Sequence, residues 1–216
     1  MKNFIPHDIP KLHQINSEQG RTYLTPSGNC YPSVTNVCSI LSEDSIKQWR
    51  RRVGEKEANR ISSTASSRGT RIHNLCEQYL LGNNADIEDN DVEVFSTLMP
   101  HLDKIDNIHC METYLHSNKL QVAGAVDLIC EYDGVLSVVD WKTSGKLKQK
   151  EWINNYFIQT AMYAYCMFEL TQLKIKQLVV IIGVDNNDAQ CFIEKTSDWV
   201  KPMVETRKLF KLKKGY

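Results

Sequence analysis

Ala125-Val126-Asp127-Leu128-Ile129-Cys130-Glu131-Tyr132-Asp133-Gly134-Val135-Leu136-Ser137-Val138-Val139-Asp140-Trp141-Lys142 is the stretch from which the fold can be worked out. Two runs rich in Val, Ile and Leu flank Asp133-Gly134, a dipeptide that marks a two-residue hairpin turn. With that turn Tyr132 faces Val135, and counting outward Glu131 faces Leu136, Ile129 faces Val138 and Asp127 faces Asp140. Directly opposed residues have Cβ atoms about 4.5–5.5 Å apart, where like charges are destabilising. Lys142, two positions on, shares the face of Asp140 and lies opposite Ala125. The hairpin thus gathers two carboxylates and a lysine in an otherwise apolar sheet, where unpaired charge is expensive. A hard divalent cation such as Mg²⁺ or Mn²⁺ offsets that repulsion, because it takes oxygen ligands from one or two carboxylates. A structural ion pair in which Lys142 bridges both acids offsets it as well, and a longer turn shifts the register.

Outward from the hairpin, Ile108 to His116 reads as a strand before it, with Leu120 to Tyr132 and Val135 to Trp141 as the hairpin strands. Glu151 to Leu170 is a long helix, followed by a β-branched run from Leu178 to Val184, a turn at Asp185-Asn186-Asn187-Asp188 and a strand from Ala189 to Glu194. Ser197 to Tyr216 reads as a helix with a basic tail. Toward the N-terminus, Ile72, Leu75, Cys76, Tyr79 and Leu80 form the stripe of an amphipathic helix that opens near Ser66 and stops at Gly82-Asn83-Asn84. A helix over Val92 to Leu102 follows it, and two shorter helical pieces precede it, one opened by Ser33-Val34-Thr35 and one running to Arg50-Arg51-Arg52. The order of elements describes an α/β protein with a central mixed sheet flanked by helices. Residues 1–32 hold four of the six prolines and read as an N-terminal arm with a hairpin around Ser27-Gly28-Asn29, leaving 33–216 as a single domain.

Composition excludes several classes of function. At 216 residues, with 42% hydrophobic and 24% charged residues, the chain has the usage of a globular protein able to build its own core. Lys plus Arg and Asp plus Glu are both 26, so any nucleic-acid contact must come from local patches. Seven cysteines without a C-x-x-C pair, and no secretory signal, point to a reducing, cytoplasmic compartment. The longest apolar stretch, Leu178 to Val184, is far short of the about 20 residues of a membrane span.

Gly124-Ala125-Val126-Asp127, Asp140-Trp141-Lys142-Thr143-Ser144, and Gln159 with Tyr163 spaced as Q-x-x-x-Y together resemble the motifs of the PD-(D/E)-x-K nuclease superfamily. Arg68-Gly69-Thr70-Arg71-Ile72-His73 resembles the helix motif that supplies a metal-binding histidine in its RecB-like branch. Ser33-Val34-Thr35 and the Asp-Trp-Lys-Thr-Ser run resemble the mitochondrial and phage exonucleases of that branch, and the likeness covers roughly residues 31 to 170. The motifs stand in the expected order on the expected elements.

The resemblance implies a restriction-endonuclease-like core and a metal-dependent DNA exonuclease acting on single strands or free ends, in a bacterium or a phage-infected cell. By the same resemblance, Asp127 and Asp140 bind Mg²⁺ or Mn²⁺, His73 adds a ligand, the Trp141 backbone carbonyl completes the set, and Lys142 orients or activates the attacking water. A structure-specific endonuclease and a non-catalytic nucleic-acid-binding module are the alternatives, and the intact Asp127, Asp140 and Lys142 argue against the second. Glu112 is either a further ligand or an exposed strand glutamate, and Gln159 and Tyr163 share one face of the long helix, which the resemblance implies lies near the active site. Trp152 and Tyr156, at the same spacing, are assigned to the core. Thr143, Ser144, Arg50, Arg51 and Arg68 are candidate DNA contacts, and the acidic stretch from Asp86 to Asp91 must lie off any DNA path. After Gln159 and Tyr163 only Cys166, on the same helix, and Cys191 follow, too few for the three cysteines some relatives carry there, so no iron–sulfur cluster of that kind is expected.

Overall fold

A computed structural model describes residues 2–18 and 20–215. The hairpin forms as β5 (Val122–Tyr132) and β6 (Val135–Ser144). Asp133 and Gly134 take φ of 50° and 76°, the left-handed pair that lets a two-residue turn follow the twist of its strands. The register matches the count outward from the turn, from Tyr132↔Val135 to Leu128↔Val139, and there the pairing ends. Asp127 and Asp140 are the next residues, and at them the strands part. From this point β5 stays with β4 (Ile105–Ser117), and β6 runs parallel to β7 (Gln177–Val184) as far as Ser144↔Val184. The expected ladder pairs of Asp127 with Asp140 and of Ala125 with Lys142 are therefore absent. Two facing carboxylates do not favour close pairing, and the freed Trp141 N–H donates instead to Asp127 Oδ2 at 3.1 Å.

The sheet order is β4-β5-β6-β7-β8, with β8 spanning Gln190–Lys195, and only the β6–β7 pair is parallel. A parallel pair needs a crossover, which is built from a 3₁₀ turn at Lys150–Trp152 and helix α5 (Asn154–Thr171). This is the mixed sheet flanked by helices that the element order implies. Helices α1 (Val34–Ser39), α5 and α6 (Thr196–Lys214) cover one face over Val126, Ile129, Val138, Val180 and Ile182. Helices α3 (Glu55–Leu81) and α4 (Asp89–Leu102) cover the other over Leu128, Val139, Trp141, Val179 and Ile181. Burial on both faces explains why β7 is a continuous apolar run rather than an alternating one. No helix of the described residues is long and apolar enough to cross a membrane.

Three elements differ from the sequence expectation. Helix α3 starts at Glu55 rather than near Ser66, because between 55 and 71 only Ala58 is buried and no apolar stripe marks that half. Glu55 and Glu57 lie in its first turn, where carboxylates complement the helix dipole, and Glu57 pairs with Arg60 at 2.7 Å. Trp152 is 63% exposed instead of in the core, because it sits in the 3₁₀ turn outside the helix, and Tyr156 is only half-buried. The arm is a three-stranded antiparallel sheet of β1 (His13–Ser17), β2 (Gly20–Leu24) and β3 (Cys30–Pro32). Ser27-Gly28-Asn29 does lie in a turn, between β2 and β3, where Thr25 N–H donates to the Asn29 carbonyl at 2.8 Å. This small sheet has its own core of Leu12, Tyr23 and Tyr31 around Ala123 of β5. Ahead of it, Ile5 N–H donates to Ile108 O at 2.8 Å and Ile108 N–H to Asn3 O at 2.7 Å, which fastens the chain to β4.

Candidate active site

The parting of β5 and β6 leaves Asp127, Asp140 and Lys142 outside the β5–β6 ladder at one end of the sheet. Asp140 is 2% exposed, and its Oδ1 accepts a hydrogen bond from Gln159 Nε2 at 2.6 Å. Lys142 Nζ lies 2.5 Å from Asp140 Oδ2. Burial pushes the Asp140 carboxyl above its ordinary range; Lys142 opposes that shift and Asp127 adds to it. Burial alone would lower the Lys142 ammonium, but the Asp140 and Asp127 carboxylates outweigh it and hold the amine charged. The same ammonium stands 5.4 Å from the centre of the Tyr156 ring.

His73 reaches the site from α3. Its Nε2–H donates to the Trp141 carbonyl at 2.9 Å, and because a carbonyl only accepts, the proton belongs on Nε2. Nδ1 then faces Asp127 Oδ2 at 3.6 Å and Glu112 Oε1 at 3.8 Å. A lone pair pointed at two carboxylates needs a proton or a cation between them. Burial works to lower the His73 pKa, and Asp127 and Glu112 outweigh burial and raise it. His73, Glu112 and Asp127 each place a ligand atom within 4.8 Å of the others. An imidazole anchored through its far nitrogen to a backbone carbonyl, with two carboxylates, suits a hard divalent cation.

His73 and Asp127, two of the ligands the resemblance implies, belong to this group. The Trp141 carbonyl, expected as a ligand, accepts from His73 and orients it. Asp140 is held between Gln159 and Lys142 and is not one of the three clustered residues. Glu112, the candidate further ligand on the preceding strand, is the third member. Its φ is 45° in mid-strand, while Met111↔Leu128 and Thr113↔Val126 pair normally on either side. Left-handed backbone at a non-glycine residue costs on the order of 1–3 kcal/mol and is found where a site requires it.

Gln159 and Tyr163 both reach the site from α5. Tyr163 is 2% exposed and packs on Gly124, where an added Cβ would come within 2.7 Å of the tyrosine Oη. Gly124→Ala is therefore expected to cost about 1–3 kcal/mol by overpacking. It should also reduce activity, since Gly124 lies three residues from Asp127; a thermal melt with an activity assay checks both.

The site lies in a cleft of about 750 Å³. One wall is the α3 face carrying Ser66, Thr70, His73 and Glu77; the opposite wall includes Gln14, Arg21 and Tyr23 of the small sheet. Arg50, Arg51, Arg68, Thr143 and Ser144 do not line it. Arg68 lies 2.5 Å from Asp185 and 3.6 Å from Asp91, Arg50 is engaged by Glu55 and Asn59, and the Ser144 hydroxyl donates to the Lys146 carbonyl at 2.7 Å. Thr143 is half-buried, and Arg51 is exposed on α2 (Glu43–Val53). Asp86 to Asp91 stays off the cleft wall, with Asp91 buried against Arg71 at 2.6 Å. Arg21 was not singled out by the sequence. It is exposed, lines the cleft, and has no carboxylate partner among the described residues; only the folding of the arm places it there.

A helix glutamine, two acids where strands part and a lysine two residues beyond the second acid define a nuclease core. The family model of the PD-(D/E)XK nuclease superfamily matches residues 95–211, more than half of the chain, and the chain belongs to that superfamily. It is 28% identical to Mitochondrial genome maintenance exonuclease 1 of Xenopus tropicalis over 128 residues, 54% of this chain and 37% of that protein. It is also 28% identical to the protein of the same name from Homo sapiens over 133 residues, 56% of this chain and 38% of that one. The matched part thus spans less than two fifths of the length of these curated relatives. A crystal structure from Eubacterium rectale overlays with a TM-score of 0.46 and 11% identity, over 68% of this chain and 65% of that one. Family and relatives together support a nuclease function.

Proposed function

We propose that the chain is a divalent-metal-dependent deoxyribonuclease of the exonuclease type, hydrolysing phosphodiester bonds in single-stranded DNA or at free DNA ends. The observation that carries this reading is the cluster of His73, Glu112 and Asp127, with ligand atoms within 4.8 Å, beside Lys142 and the buried Asp140. The exonuclease assignment is supported by its likeness to the two mitochondrial genome maintenance exonucleases.

His73, Glu112 and Asp127 would hold Mg²⁺ or Mn²⁺, with Asp140 alongside. Bound there, the ion would act as a Lewis acid toward the phosphate and lower the pKa of water. Lys142, kept charged by its two carboxylates, orients the attacking water and stabilises negative charge growing on the phosphate oxygens. Asp140 positions Lys142, Gln159 positions Asp140, and the Trp141 carbonyl positions His73. Water adds to phosphorus, the bond to the leaving oxygen breaks, and that oxygen gains a proton, leaving a phosphomonoester and a hydroxyl end. A non-catalytic binding module would have no need to keep Asp127, Asp140 and Lys142 together in one cleft.

End-labelled linear single strands, linear duplexes and circles incubated with Mg²⁺ or Mn²⁺ test the proposal, with chelator and Asp140→Asn as controls. Linear strands should disappear while circles survive. Cutting of circles would make the enzyme an endonuclease, and no metal-dependent cutting of any substrate would overturn the reading.

A further inference from the structure

Tyr114 is the one large aromatic side chain of the cleft wall that is substantially open, at 38% exposed, whereas Tyr23 and Tyr163 are buried. It lies two residues beyond Glu112 on β4, about 7 Å along the strand. Its sheet partner is Ala125, two residues before Asp127 on β5, and so small a neighbour leaves the ring uncovered. Tyr23 of the small sheet supports it from one side, with ring centroids 5.3 Å apart and planes tilted by 58°. Its own hydroxyl makes no hydrogen bond among the described residues, so polar anchoring does not account for its position. Arg21, a cation without a carboxylate partner among the described residues, belongs to the same wall. An open, supported aromatic ring one nucleotide's reach from the acids, on the same wall as an exposed guanidinium, has the makings of a single-strand subsite: stacking for a base and charge for the backbone.

We propose that Tyr114, backed by Tyr23, is a stacking platform for one unpaired nucleobase next to the scissile phosphate. The inference rests on the nuclease reading and deepens it, because it selects strands whose bases are free to leave the helical stack. A base within a duplex already stacks on its neighbours and cannot cover the ring without being unstacked. Stacking does not read sequence, so the platform accepts all four bases.

Short single-stranded oligodeoxynucleotides carrying 2-aminopurine at each position in turn, bound to the full chain with Ca²⁺ in place of Mg²⁺, test the platform directly. One position should be quenched by stacking on the native protein. Tyr114→Leu keeps apolar bulk against Tyr23 but has no π-face, and it should lose the quenching and weaken binding by about five- to a hundredfold. Tyr114→Phe and Tyr114→Trp should keep both, and blunt duplex should bind Tyr114→Leu as well as it binds the native protein. With Mg²⁺, the loss should appear in KM more than in kcat. Native affinity and quenching in Tyr114→Leu, or a loss in Tyr114→Phe equal to that in Tyr114→Leu, would overturn the platform. If the native protein cleaves no DNA, the nuclease reading falls; if it cleaves and Tyr114→Leu binds normally, only the platform falls.

Discussion

Lys142→Ala is expected to lower turnover by about 10²–10⁴-fold, the range for losing a positioned group that handles a proton or charge in the transition state. The ammonium stands 2.5 Å from Asp140 Oδ2 at the mouth of the parted strands, and both flanking carboxylates hold it charged. Its loss leaves Asp140 buried without its nearest cation, but burial already pushes that carboxyl upward, so a proton can replace the missing charge. The variant should therefore fold, with a lower melting temperature. The three clustered ligand residues do not include Lys142, so metal should still stabilise the variant. Lys142→Arg should rescue little, because a planar guanidinium cannot take the place of a compact ammonium in this corner. Full activity in Lys142→Ala would remove the lysine from the chemistry.

Metal should raise the melting temperature of the native protein, and chelator should reverse the rise. At a hundred times Kd the gain is about 2.7 kcal/mol, which in a domain of this size corresponds to about 5–10 °C. Asp127→Asn and Glu112→Gln should each abolish most of the shift. Glu112→Gln has a second signature, because it removes a negative charge from a pair of acids that crowd His73 Nδ1. At a pH high enough to keep His73 neutral, the metal-free variant should melt no lower than the native protein, and in metal it should fall behind. Equal metal-induced shifts in the native protein and in Glu112→Gln would exclude Glu112 from the ligand set.

The hairpin and its register were legible because both are local: Asp133-Gly134 fixes the turn, and period-two counting needs nothing else. The same counting brought Asp127 and Asp140 together, but it could not show that the strands part there, since parting depends on what β4 and β7 offer each strand. Glu112 was visible as a carboxylate on the preceding strand. Its place in the cluster follows from a left-handed backbone that no residue type at that position announces. His73 was found through its helix motif, while the first half of α3 was missed because polar residues carry it without an apolar stripe. Arg21 and Tyr114 were illegible for another reason: their roles arise only when the proline-rich arm folds into a sheet and lies against β5.

The acids, the lysine and the histidine hang from the large sheet and from α3, whereas Gln14, Arg21 and Tyr23 hang from β1 and β2, which have a core of their own. Mutations on those two strands can retune which strands enter and how tightly they are gripped without disturbing the hydrolytic groups. On the proposed reading, the choice of strand and its hydrolysis would thus be carried by different sheets, joined through Ala123.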